Sequence, residues 1–250
     1  MNSTRFLSSS FFAVTALAVG LCGAAPSAQG ATLTHLCEFN GGLSDTLGGP
    51  SRVSGGGTVN ATSYSFAASQ GLSLSNALAS PGDYSIALRF SFDVVNGYRK
   101  IIDFRNRTVD AGFYVINSKL TFYPVTGPDG EFPNATTRPV VLTRDAATSA
   151  ITAYVNGVQQ FTFIDSTGLG VFSTAGSLMQ FFYDDLAVPN EASGGVVDEI
   201  RIFDGALTAS EVKDAFTISP NVTTVPVPSS LLLRGTGLAG LLLQRRRVSR

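Results

Sequence analysis

Tryptophan is absent from this 250-residue chain, and histidine, cysteine and methionine occur only one, two and two times. These shortages exclude much chemistry. A nucleophilic triad has one possible imidazole base, His35. His35 and Cys37 stand two apart, so on a strand they share a face. No third residue orients such a dyad and nothing supplies an oxyanion hole, so His35 reads as a structural or exposed residue. Cys22 falls in an apolar N-terminal segment and leaves Cys37 alone in the remainder. An intramolecular disulfide and a cysteine-based zinc site are thereby excluded. Cys37 is either a small buried residue of the first strand or a thiol that pairs between chains.

Charge is scarce too, at 14% of residues, and unevenly placed. Arg5, Arg234, Arg245, Arg246, Arg247 and Arg250 occupy the two ends. All 18 acids lie between them, against 11 bases, so the interior carries a net charge of −7. It has no basic stripe and should repel nucleic acid. Such an acidic domain is compatible with calcium. The 44% hydrophobic content, with 18 Phe and seven Tyr, suffices for a substantial core.

The ends read as addresses. Arg5, the apolar run Phe11–Cys22 and the small residues Gly23–Gly30 form a secretory signal peptide over residues 1–30, cut before Ala31. Leu21 is too large to precede a lipoprotein cysteine at Cys22. At the other end, residues 220–250 hold Val225-Pro226-Val227-Pro228, an apolar run Leu231–Leu243, and Arg245, Arg246 and Arg247. The prolines favour an extended, protease-accessible backbone. The arginines hold the end of a membrane-inserted segment on the cytoplasmic side.

This order resembles the PEP-CTERM sorting tail, including Pro228-Ser229-Ser230-Leu231-Leu232-Leu233 and Gly235-Thr236-Gly237-Leu238-Ala239-Gly240-Leu241. The resemblance implies recognition by an exosortase-type membrane protease, then release or attachment at the surface, often in bacteria that make exopolysaccharide. Its signal residues here are Val225, Pro226, Pro228, Arg245, Arg246 and Arg247. Two departures stand out. The family has Glu where this chain has Val227, and Arg234 interrupts the apolar run. The run would span only about 20 Å as a helix, short of a ~30 Å hydrocarbon core. A plain tail anchor would account for the arginines but not for the proline pair.

Residues 31–219 form one domain. Short apolar-alternating runs, separated by turn residues, predict strands over 32–38, 63–66, 84–93, 99–105, 112–116, 119–123, 137–145, 150–155, 159–164, 178–184 and 195–203. In Tyr84–Asp93, Tyr84, Ile86, Leu88, Phe90 and Phe92 share one face. Asn156-Gly157 and Asn117-Ser118 mark hairpin turns. One short helix is expected over Leu207–Phe216, with Thr208 as its cap and Glu211 completing a capping box. Many short strands and few helices indicate an all-β antiparallel sandwich or barrel.

The segment Gly194–Glu211, with Asp198-Glu199-Ile200-Arg201-Ile202, resembles the last strand and following helix of a LamG-like, concanavalin A-like jelly roll. Tyr154-Val155-Asn156-Gly157 is similar to that fold's hairpin. The resemblance spans roughly residues 35–216. It implies a jelly-roll sandwich that either binds carbohydrate or protein without catalysis, hydrolyses glycosides, or serves as a structural matrix unit. The first is the main expectation: an exported surface or matrix module with an extracellular polysaccharide or surface protein as partner.

No motif fixes a reaction. Glycosidases of this architecture often place acids on alternate positions of one strand, and no such run occurs. Asp198-Glu199 and Asp184-Asp185 are adjacent pairs. Carboxylates about 5–10 Å apart could still come from different strands. The resemblance also implies a structural calcium ion. Its candidate oxygens come from acid-rich loops: Asp45, Asp184 and Asp185, with Glu191 nearby. These acids also suit turns and solvated charge. Arg99, Lys100, Arg105 and Arg107 surround Asp103; they either pair with Asp103 and Asp110 or contact an acidic polysaccharide.

Overall fold

The computed structural model describes residues 30–128, 130–173 and 177–219. The signal-peptide segment before Gly30 and the tail residues Val225, Pro226, Pro228, Arg245, Arg246 and Arg247 lie outside them. Among the described residues, no helix is long and apolar enough to cross a membrane.

The strands are β1 (Thr32–Cys37), β2 (Val53–Ser54), β3 (Thr58–Val59), β4 (Tyr64–Phe66), β5 (Leu72–Leu74), β6 (Tyr84–Phe92), β7 (Tyr98–Asp103), β8 (Phe113–Ile116), β9 (Lys119–Phe122), β10 (Val125–Thr126), β11 (Arg138–Arg144), β12 (Ala150–Val155), β13 (Val158–Ile164), β14 (Met179–Phe181) and β15 (Gly195–Asp204). One helix, α1 (Ala209–Asp214), follows them. The first sheet runs β13-β12-β11-β6-β15-β4-β3, and β1 also pairs with β15. The second runs β10-β9-β8-β7-β14-β5-β2. All pairings are antiparallel. The fold is therefore an all-β sandwich: of the two architectures that alternation and turn chemistry left open, it is the one that the jelly-roll resemblance implies.

The period of two explains the core. Tyr84, Ile86, Leu88, Phe90 and Phe92 of β6 all point between the sheets, where they meet Phe113, Val115, Leu120, Phe122, Met179 and Phe181 of the second sheet. Burying each such side chain stabilises the fold by about 1.5–3 kcal/mol. The other face of β6 is covered as well. Ala87 joins Val141, Tyr154 and Phe203 in a smaller cluster closed by Leu207, Val212 and Ala215 around α1. Thr208 and Glu211 form the expected capping box at the start of that helix.

The turns are as the sequence requires. Asn156 and Gly157 both have positive φ, 52° and 73°, which joins Val155 to Val158 in the tight β12–β13 hairpin. Four strands have no counterpart in the sequence reading: β2, β3, β5 and β10. Each is only two or three residues long, too short for alternation to register. The strand expected over 178–184 contracts to Met179–Phe181, because Phe182 adopts φ 63° while its ring stays in the core. That turn sends Asp184 and Asp185 out of the sheet and over its outer surface.

Candidate functional site

The outer face of the second sheet gathers the most concentrated chemistry among the described residues. A bulge between Lys100 and Ile102 places both Ile101 and Ile102 in the core. Lys100 then lies on the opposite face, in register with Tyr114 of β8. Both are almost completely buried, because the loop after β14 folds back across them. That loop is fixed by the Lys100 amide donating to Glu191 O at 2.8 Å and the Leu186 amide donating to Arg107 O at 2.8 Å.

Lys100 Nζ donates to Asp185 Oδ2 at 2.6 Å, to Asp103 Oδ2 at 3.4 Å and to Ala111 O at 3.5 Å. It also sits 4.9 Å from the centre of the Tyr114 ring. The acids around it are held by backbone amides. Asp103 accepts from Arg105 and Arg107, and Asp185 from Ala187 and Val188. Asp184 accepts from Asn190 and Glu191. Burial works to raise the Asp185 carboxyl, but the Lys100 bond and the two amides hold it below the usual range.

Asp110, Asp185 and Glu191 each bring an oxygen within 4.8 Å of the others. Asp110 is exposed, and the Glu191 side chain is half-buried with Oε2 shielded and unpartnered. Burial, reinforced by Asp110 and Asp185, pushes Glu191 up to about 7. Burial among the same acids also raises the Tyr114 phenol. The arrangement is short of positive charge. Three carboxylates converge where one ammonium is present, and such an oxygen set could accept a hard cation. Beside it stands an edge-to-face ladder of rings, Tyr98–Tyr114 at 5.6 Å and Tyr98–Tyr123 at 6.2 Å, with Tyr123 48% exposed.

The structure divides the sequence candidates for calcium. Asp184 and Asp185 reach this face. Asp45 belongs to a separate network, accepting from the Leu36 and Leu47 amides and contacting His35 Nδ1 at 2.5 Å. Burial opposes ionisation of Asp45, yet these partners hold its carboxyl low. Asp110, which the sequence offers only as a partner for Arg99, Lys100, Arg105 and Arg107, joins the cluster instead. Asp110 and Glu191 come together only through the pairing of β7 with β8 and the fold-back of the loop after β14, so no local motif announces them.

Of the basic cluster, Lys100 pairs internally with Asp103 as expected, while the arginines bind carbonyls. Arg99 donates to Asn190 O, Arg105 to Gly168 O and Arg107 to Asp184 O. Cys37 is free and fully buried in the core, where burial pushes its thiol up. His35 turns to Asp45, so the two do not form a dyad. Asp198 and Glu199 lie at a bulge in β15, where Glu199 pairs with Arg201 at 2.5 Å.

Residues 66–213 match the family Laminin_G_3, described as the concanavalin A-like lectin/glucanases superfamily. No curated protein matches the chain. Several solved structures share the fold. Domain 4 of AbnA, a GH43 extracellular arabinanase from Geobacillus stearothermophilus, was determined in complex with arabinotriose. It is 20% identical with TM-score 0.55, over 74% of this chain and 98% of that one. The binding domain of botulinum neurotoxin serotype D is 10% identical with TM-score 0.54, over 74% of this chain and 51% of that one. Trypanosoma rangeli sialidase is 16% identical with TM-score 0.55, over 74% of this chain and 32% of that one. This chain thus spans about half of the neurotoxin domain and a third of the sialidase. At these identities the likeness is one of fold.

Proposed function

This chain belongs to the concanavalin A-like lectin/glucanases superfamily, and on that premise we propose that it is an exported surface or extracellular-matrix protein whose sandwich binds carbohydrate without catalysis. The observation that carries this reading is the outer face of the second sheet. There the exposed Tyr123 and half-buried Tyr98 flank the carboxylates of Asp110 and Glu191. Aromatic rings cover the apolar C–H face of a sugar, and carboxylates accept from its hydroxyls. A calcium ion held by Asp110, Asp185 and Glu191 would add a direct ligand for sugar oxygens. The shielded, unpartnered Glu191 Oε2 supports that placement. Asp184 would take part only by orienting the loop.

The signal peptide and PEP-CTERM-type tail supply the destination: export across the inner membrane, transient anchoring by the tail, and processing by an exosortase-type protease. The partner is an extracellular polysaccharide or a surface protein, and nucleic acid is not one. Replacing Arg245, Arg246 and Arg247 with neutral residues should shift the protein between membrane and extracellular fractions. Unchanged fractionation would remove the sorting assignment.

One observation favours a second reading, a polysaccharide hydrolase. Glu191, raised to about 7 beside Asp110, has the character of a general acid next to a carboxylate. A single experiment separates the two. The full chain is incubated with a panel of bacterial polysaccharides, with calcium and then with chelator. Retention on a polymer that keeps its length supports binding, and calcium dependence supports the metal. Polymer shortening that Glu191→Gln abolishes would establish the hydrolase instead.

A further inference from the structure

A second groove lies where the β6–β7 loop, the β8–β9 turn and the segment before β11 meet. It has a volume of about 580 Å³ and is lined by Val95, Asn96, Asn117, Ser118, Pro133 and Asn134. None of these six side chains is charged, in contrast to the acid-rich sheet face.

Two of the amides are oriented by the backbone. Asn117 Oδ1 accepts from the Gly97 amide at 2.9 Å, and Asn134 Oδ1 accepts from the Val95 amide at 2.9 Å. With each carbonyl engaged, the amide nitrogens Nδ2 are left to donate. Asn117 and Ser118 both have positive φ, 48° and 67°, so the turn that presents them is a tight hairpin rather than a loose loop. The Phe132 amide donates to Ser118 O at 3.1 Å and fixes the third wall to that turn. The groove therefore offers fixed N–H donors, one hydroxyl able to accept, and apolar surface from Pro133.

We propose that this groove is a saccharide site separate from the tyrosine-flanked face and selective for a sugar bearing an acetamido group. That group carries a carbonyl for the Asn117 and Asn134 donors, an N–H for the Ser118 hydroxyl, and a methyl for Pro133. A carboxylated sugar would find the same donors but would approach a domain of net charge −7. A sugar with hydroxyls alone would leave the apolar wall uncovered.

The test uses the purified full chain, with N-acetylglucosamine trimer and cellotriose as matched probes differing only at the acetamido position. Calorimetry should show the acetamido trimer binding at least about tenfold more tightly than cellotriose. Asn117→Asp and Asn134→Asp keep the acceptor oxygens that hold the backbone and remove the donors. Each should weaken the trimer roughly tenfold with little change in melting temperature. Equal affinity for the two probes, or trimer affinity untouched by both Asn→Asp variants, would overturn the proposal. If Tyr123→Ala alone abolished trimer binding, the sugar would be on the sheet face, leaving the proposed function intact and the groove without a ligand.

Discussion

Lys100 Nζ lies 2.6 Å from Asp185 Oδ2, and solvent reaches neither side chain. The pair ties a strand of the second sheet to the loop that carries Asp184, Asp185 and Glu191. Removing one partner strands a charge in the interior, a loss of about 3–5 kcal/mol. Lys100→Met should therefore lower the melting temperature sharply. Combining it with Asp185→Asn should recover part of the loss, since the double variant removes the unpaired Asp185 charge and leaves only Asp103, which still accepts from the Arg105 and Arg107 amides. A double variant as unstable as Lys100→Met would show that the pair is not coupled.

Stability should peak in mildly acidic solution. The depressed Asp185 carboxyl contributes stability above its unfolded pKa, and that contribution is lost as pH falls through the lower folded value. Glu191 acts in the opposite sense. Between its unfolded value of 4.5 and its folded value of about 7, the unfolded chain is ionised while the folded one keeps its proton. Stability therefore declines across that window as pH rises, by well under the ~3 kcal/mol of an unscreened shift, because solvent screens a half-exposed carboxyl. Glu191→Gln should flatten the decline and raise the melting temperature at pH 8 but not at pH 4. Denaturant titrations across pH give the comparison; an unchanged slope in the variant would refute the assignment.

Calcium should bind more strongly where Glu191 is ionised. A cation that binds only the folded chain at about 100 times its dissociation constant stabilises it by ~2.7 kcal/mol. Millimolar calcium is thus expected to raise the melting temperature at pH 8 more than at pH 5.5. Asp110→Asn, which removes an exposed carboxylate from the cluster, should abolish most of the rise without unfolding the protein. A rise that survives Asp110→Asn would place the ion elsewhere, and no rise would remove it.

The sandwich was legible in the sequence because its long strands bury one face at a time. The alternation in Tyr84–Phe92 shows which face is buried, and the Asn156-Gly157 turn joins its two strands, by local chemistry alone. The acid cluster was not legible in the same way. Asp184 and Asp185 were visible as a pair, but Asp110 meets Glu191 only after β7 and β8 pair and the loop after β14 folds back. Lys100 sits in a basic run whose pairing with Asp103 and Asp110 reads as that of a solvated strand face. A one-residue bulge turns it instead into the buried counter-ion of the site. Bulges have no reliable sequence signal, so charge that looks solvated from composition can be internal. Asp45 shows the converse, since its loop looked like a ligand set and its oxygens serve backbone amides and His35.

Helix α1 is short, and its worth lies in what it covers. Val212 and Ala215 close the outer face of the first sheet over Ala87, Val141 and Tyr154. A six-residue helix has little stability of its own, so its cap decides how firmly that cover is seated. The Thr208 hydroxyl accepts from the Glu211 amide at 3.4 Å, and Glu211 Oε2 accepts from the Thr208 amide at 2.7 Å. Thr208→Ala removes the first contact and should cost about 1 kcal/mol, a fall of roughly 2–4 °C in melting temperature for a domain of this size. Glu211→Ala should cost a similar amount. The double variant should lose less than the sum, because the two side chains complete one box. Full additivity in thermal unfolding would mean that the contacts act independently, and no loss from either variant would mean that the sheet, rather than the cap, holds the helix in place.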